Sequence, residues 1–186
     1  AALSPLGRAR RQEVLDLLNK EAYHAPLAPD YRGPIHRLRM RKEREIARET
    51  PRRLNLKHGS GGILDVESIV QTLQLAHGRD TPDLKTPNTL EAIEALTRAG
   101  LLGPPEGANL RDGYVFLRFL ESRLRLASDR SVDDLNLDRS DLGALALRMK
   151  PPLRTGNALV ESLLRHRERI RGIYREQFKR EFVSDS

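Results

Sequence analysis

The 186-residue sequence contains no cysteine and no tryptophan, and its aromatic residues amount to 4%. Without a thiol, disulfides and thiolate catalysis are excluded, and a reducing compartment is permitted. No run approaches the ~18 apolar residues of a membrane span and no signal-peptide core is visible, so a cytoplasmic protein without membrane contact is expected. Catalytic signatures are missing as well. There is no H-E-x-x-H, no His-Asp dipeptide, no G-x-x-x-x-G-K-[ST] loop and no serine in a recognisable elbow. The histidines are scattered as His24, His36, His58, His77 and His166. No set of residues here supports independent catalysis.

What remains is an ordinary composition for a helical domain, 38% hydrophobic and 32% charged, in a chain long enough for one sizeable core. The charge is unevenly placed. Residues 1–62 carry 14 Lys and Arg against 7 Asp and Glu, and residues 63–186 carry 19 of each, so the whole net charge of +7 precedes residue 63. That first third is the part suited to something negative.

The most informative stretch runs from Lys57 to Gln74. Gly59, Gly61 and Gly62 lead into Val66, Ile69, Val70 and Leu73, spaced as one face of a helix. Asp65 falls in the first turn, facing unpaired N–H groups and the positive end of the helix dipole, worth roughly 0.3–1 kcal/mol. Asp65 and Glu67, two apart, point to nearly opposite sides and do not hold one metal ion together. A glycine loop entering a helix can cradle phosphate, but this spacing matches neither common phosphate loop and Asp65 repels an anion there. Gly59-Ser60 followed by Asp65-Val66-Glu67 also imitates a nucleotidyltransferase signature. Only four residues separate Ser60 from Asp65, too few for the intervening helix, so the catalytic dyad is rejected. Glu67, Gln71 and Gln74 are expected as a polar stripe.

Along the rest of the chain, Ser4-Pro5 and the apolar spacing to Leu18 predict a helix over 4–20. Pro26, Pro29, Gly33 and Pro34 mark a loop, and a basic helix is predicted over 35–50, stopping before Pro51. It carries Arg37, Arg39, Arg41, Lys42, Arg44 and Arg48, with Glu45 and Glu49 placed for internal pairs. Such clustering suits phosphate neutralisation, yet no aromatic interleaves with residues 35–57, so a solvated or domain-docked face is favoured over nucleic acid. A short strand is expected at 54–57. His77-Gly78 should end the central helix, with Gly78 left-handed. Asn88 and Glu91 make a capping-box start for a helix ending at Gly100, and Gly103-Pro104-Pro105 should separate it from a helix over 108–128. In that helix Leu110, Tyr114, Leu117, Leu120 and Leu124 form the buried stripe, and Glu121 is expected as a surface ion pair with Arg118 and Arg125. Asp133, Asp134, Asp138 and Asp141 are acidic without an EF-hand pattern, and Asp138 is expected to cap a short helix. A last helix is predicted over 157–182 with Leu159, Leu163, Ile170, Ile173, Tyr174 and Phe178 inward. The fold class is all-α, one helical bundle of about six or seven helices without an internal repeat. Residues 1–62 form its basic part and residues 63–186 its main bundle.

The motif Lys57-x-Gly59-x-Gly61-Gly62-Ile63-Leu64-Asp65-Val66-Glu67, with Val70-Gln71-x-Leu73-Gln74-Leu75-x-His77-Gly78, resembles the glutamine synthetase adenylyltransferase family. Asn88-Thr89-Leu90-Glu91-Ala92 and Tyr114-x-Phe116-Leu117-Arg118-x-Leu120-Glu121-x-Arg123-Leu124 are similar to it in order and spacing. The family usually has arginine where Leu64 stands, phenylalanine at Ser68 and histidine at Ser122. The resemblance implies the helical region that follows a nucleotidyltransferase domain, without that domain. It further implies a parent that uses ATP and magnesium to adenylylate, or by phosphorolysis deadenylylate, a tyrosine of glutamine synthetase under a PII-class signalling protein. Neither cofactor is expected to be held by this chain alone. Lys57, Gly59, Gly61, Gly62, Asp65, Glu67, Arg52 and Arg53 are the implied residues at a nucleotide site or domain interface. The alternative is a basic binding module for nucleic acid or an acidic protein, and a third reading is a purely structural helical domain.

Overall fold

A chain this rich in Leu, Arg, Glu and Ala between proline and glycine punctuation favours helices of two to seven turns. The computed structural model describes residues 27–127 and 133–179, and six α-helices lie among them. The helix expected over 4–20 lies outside the described residues. Helix α1, Arg32–Lys42, starts before Gly33-Pro34 rather than after them, because proline is tolerated in a first turn whose N–H groups have no partner anyway. It continues as a π-helical turn, Glu43–Ala47, and stops at Arg48, whose φ of 44° is left-handed. The predicted end at residue 50 is therefore late by three residues. Arg48 is held in this unfavourable region by two hydrogen bonds, its Nε to the Glu45 carbonyl and its own carbonyl accepting from Arg53.

Strand β1, Arg53–Asn55, pairs antiparallel with β2, Asp134–Asn136, with Leu54 opposite Leu135. The second strand lies in the acidic patch and was not expected. The pairing buries Leu135 and ties residues 79 positions apart, since the Asn55 amide also donates to Asp134 at 2.7 Å.

Helix α2, Ile63–His77, is the central helix, and Ile63, Val66, Ile69, Val70 and Leu73 are buried. Gly78 is right-handed, contrary to the expected left-handed stop; the chain turns instead because the His77 carbonyl accepts from Asp80 and Thr81. Gln74 is not part of an exposed stripe. It is buried, and its amide donates to the Leu84 and Thr86 carbonyls, which pins the following loop. Helix α3, Thr89–Arg98, has Asn88 as its cap, accepting from the N–H groups of Leu90 and Glu91. Glu91 reaches Thr86 rather than closing the box on Asn88. Gly100 ends this segment with φ of 73°.

Helix α4, Pro104–Ala127, begins four residues earlier than predicted, with Pro104 and Pro105 inside its first turn and Glu106 accepting from Gly103 N–H. Leu110, Leu117, Leu120 and Leu124 are buried, and Tyr114 is half-buried. Glu121 is 2% exposed between Arg118 at 2.9 Å and Arg125 at 2.8 Å, so it is a buried carboxylate rather than a surface one. Helix α5, Leu142–Leu147, follows Asp141, not Asp138; Asp138 stands exposed against Arg52. Helix α6, Gly156–Lys179, buries all six of the residues expected to face inward. It packs along α4 and against α1, α2 and α5, so the core lies between α2, α3, α4 and α6. No described helix is long and apolar enough to cross a membrane.

Candidate functional site

Glycines at 59, 61 and 62 are needed because the loop runs against other backbone. A Cβ on Gly61, whose φ is 68°, would lie 2.0 Å from the Arg167 carbonyl oxygen of α6. One on Gly59 would meet the Asn55 carbonyl and Glu49, each at 2.4 Å. The loop is therefore pressed onto α6, which side chains forbid. Its amides, that of Ser60 apart, are spent internally. Lys57 and His58 N–H donate to Asn55 Oδ1, Gly59 N–H to the Asn55 carbonyl, Gly62 N–H to Gly59, Ile63 N–H to Leu56 and Leu64 N–H to Lys57. Gly61 N–H donates to Asp65 Oδ2 at 2.8 Å. A triphosphate needs free donors at such a loop, so these residues do not fit ATP with magnesium, and no chemical step is routed through a nucleotide in this chain. Among the described residues no group of three or more His, Asp or Glu is placed to hold a metal ion.

Asp65 is wholly buried, and what surrounds it is cationic. Arg39 Nε of α1 lies 2.6 Å from its Oδ1, and Arg171 of α6 lies 3.1 Å from its Oδ2. Glu43, in the π-turn, stands 3.1 Å from both Arg39 and Arg171 and closes a quartet of two cations and two anions. Arg39 donates further to the Gly59 carbonyl at 2.8 Å. Beside the quartet, Arg167 donates to both carboxylate oxygens of Glu49, at 2.7 and 2.8 Å, and to the Ser60 carbonyl. Glu49 Oε1 also accepts from Asn55 N–H. Three segments, one of them more than a hundred residues from the other two, are thus clamped on the glycine loop by charge. The π-turn matters here because its wider winding, ended by left-handed Arg48, sets both Glu43 and Glu49 on the α6 side.

Of the residues singled out in the sequence, Gly59, Gly61, Gly62 and Asp65 meet at this clamp. Glu67 does not. It faces α4, where the Tyr114 hydroxyl donates to it at 3.4 Å. Lys57 is half-buried, while Arg52 and Arg53 are exposed, paired with Asp138 at 3.3 Å and near Asp134 at 3.9 Å. Sequence reading missed Arg39, Glu43, Glu49, Asn55, Arg167 and Arg171 as parts of one site. One signal was available: Arg167 occupies a position of the buried stripe Leu159, Leu163, Ile170, Tyr174, where an arginine needs an internal partner.

Three imidazoles, two near the clamp and His166 beside α4, are shifted by burial and by neighbouring cations. Burial, then the Arg171 charge, lowers the pKa of His36, whose Nδ1 lies 3.0 Å from the Tyr174 hydroxyl. Burial, then Lys57, lowers that of His58. Burial, then Arg165, lowers that of His166, which packs on Phe116 at 4.7 Å between centroids. Burial pushes the Tyr174 phenol up.

A helical domain with a charge-clamped glycine loop at the start of its central helix is the class these features define. A family model described as GlnD PII-uridylyltransferase matches residues 32–178, and the chain belongs to that family. It is similar to bifunctional glutamine synthetase adenylyltransferase/adenylyl-removing enzymes, in keeping with the motif resemblance above. The Nocardia farcinica enzyme is 33% identical over 181 residues, which cover 94% of this chain and 18% of the relative. That of Corynebacterium diphtheriae is 37% identical over 122 residues, 66% of this chain and 11% of the relative. The Streptomyces coelicolor enzyme is 39% identical over 129 residues, 67% and 12% respectively. The chain thus spans less than a fifth of the length of these relatives.

Proposed function

We propose that this chain serves as a helical accessory domain of a glutamine synthetase adenylyltransferase-like nucleotidyltransferase. The observation that carries the reading is the clamp. The family motif from Lys57 to Glu67 directs its amides and its buried acid inward, so it acts as a scaffold rather than a catalytic centre. In this reading the parent protein, cytoplasmic, adenylylates or deadenylylates a glutamine synthetase tyrosine, and its catalytic domain holds ATP and magnesium. Control by a PII-class protein belongs to the same proposal. Arg52, Arg53 and Lys57, on the solvent side of the clamp, are the residues offered toward the catalytic domain and its nucleotide.

Calorimetry with ATP and magnesium tests this. The longer natural protein is expected to bind, this chain alone is not, and Arg52→Ala with Arg53→Ala should weaken binding by the longer protein. Tight binding by the chain alone, or no binding by either form, overturns the reading. Unchanged affinity in the double variant removes the two arginines from it.

A further inference from the structure

Helix α1 presents a face that nothing in the described fold covers. Arg37 and Arg41, with Arg44 of the π-turn, recur at i, i+4 and i+7, exposed, and none has an acidic partner among the described residues. Beside them Leu38 is 45% exposed and Ile46, in the π-turn, is 51% exposed. A large apolar side chain left in water between unpaired cations is what a partner surface removes. The cations are also unusual for their neighbourhood, because the buried arginine of this helix, Arg39, lies 3.1 Å from Glu43 and 2.6 Å from Asp65.

Leu38 also stands at the lip of a groove between α1 and α2. Its apolar lining comes from Ile35 and Leu38 on one wall and from Leu64 and Leu75 on the other. On α2 the groove follows Leu64, Ser68, Gln71 and Leu75, one stripe of that helix, with Glu67 at its edge and Lys42 on the α1 wall, and Ser68 turns its hydroxyl back onto the Leu64 carbonyl, so it offers the groove no donor. Along α1 the face is eleven residues long, about 16 Å at 1.5 Å per residue, or three helical turns. The one aromatic ring of Gly33–Lys42, His36, is turned to Tyr174 and Phe178, each 5.8 Å away between ring centroids, and the anchors of the groove are aliphatic.

From this combination we infer that the α1–α2 groove docks an acidic amphipathic helix of a protein partner. Leucine-type side chains of the partner, at i, i+3 or i+4 and i+7, enter between Leu38 and Leu75. Its flanking carboxylates meet Arg37, Arg41 and Arg44. Charge complementarity selects that occupant: the exposed α1 face is cationic, while residues 1–26 carry 4 Lys and Arg against 3 Asp and Glu, and residues 180–186, with one Arg against one Glu and one Asp, are too few for an amphipathic helix of three turns. The inference is independent of the adenylyltransferase reading, since it rests on exposed α1 and α2 residues outside the clamp.

The probe is a synthetic 14-residue peptide with leucines at helical spacing and glutamates on the flanks, used beside a scrambled isomer of identical composition and a short single-stranded DNA. Fluorescence anisotropy reads binding to the full chain, and circular dichroism checks that each variant keeps its helices. The amphipathic isomer should bind at least tenfold more tightly than the scrambled one. Leu38→Glu and the pair Arg37→Glu, Arg41→Glu should each weaken it by tenfold or more. Equal binding of both isomers, tighter binding of the DNA, insensitivity to Leu38→Glu, or no binding at all overturns the inference.

Discussion

Replacing Asp65 with Asn keeps the shape of the side chain and removes one charge from the quartet. Two guanidiniums then remain around a neutral amide, Arg39 at 2% exposure and Arg171 at 15%. Deleting one member of a buried ion pair costs about 3–5 kcal/mol, because the partner is left desolvated and uncompensated. Glu43 still lies 3.1 Å from each arginine and is 26% exposed, which places the expected loss near the lower end, about 3 kcal/mol. With a urea m-value of about 2.5 kcal/mol per molar, the unfolding midpoint should fall by roughly 1.2 M. Urea titration followed by circular dichroism measures this directly. The triple change Asp65→Leu, Arg39→Met, Arg171→Met removes the three least exposed charges of the quartet, leaves Glu43 at 26% exposure within reach of water, and should be more stable than the single variant, since apolar replacements of a buried ionic group avoid its desolvation. A loss under about 1 kcal/mol for Asp65→Asn, or a triple variant less stable than the single, refutes the claim that the clamp is a coupled unit.

Two glycines with nearly the same left-handed φ separate conformational strain from steric clash. Gly100→Ala, with open space around its Cβ, should cost about 1 kcal/mol, whereas Gly61→Ala drives its Cβ into α6 and should cost roughly 2–4 kcal/mol or abolish folding; equal losses in thermal melts would contradict the packing argument. The lowered imidazole pKa values of His36, His58 and His166 give a pH dependence with a defined sign. Below the ordinary value of 6.5 the unfolded chain binds protons that the folded chain resists, so stability is full above that pH and falls as pH drops through it toward the folded values. Urea midpoints between pH 7.5 and 5 should decline, and His58→Gln should flatten the slope; a midpoint that rises on acidification contradicts it.

The helical architecture was legible because helices write their pattern locally. The stripe Leu159, Leu163, Ile170, Ile173, Tyr174 and Phe178 is periodic, and the structure buries all of it. Boundaries failed where backbone chemistry overrode the punctuation marks. Pro104 and Pro105 look like a separator in the sequence but fit a first turn, and the π-turn with left-handed Arg48 ends the α1 segment before Pro51. The β1–β2 pair escaped because its partners, three residues each, are non-local and carry no alternating pattern long enough to register. The glycines were legible as a special backbone site, yet their reason was not. Gly61 is required by Arg167, 106 residues later, and no spacing rule connects the two.

The same non-locality decides what the clamp can do. Arg39 sits on α1, Asp65 on α2 and Arg171 on α6, and Glu43 touches both arginines, so rotating α1 alone separates charges that are out of water. At low effective dielectric such a separation is steep in distance, unlike the solvent-exposed Arg52–Asp138 pair, which screens freely. The basic helix, the glycine loop and the second half of the last helix are therefore held by one set of buried charges. A partner that seats on α1 acts on the start of α2 through fixed geometry, and a domain that reads Lys57, Arg52 and Arg53 meets them on a frame whose position is set by three elements at once.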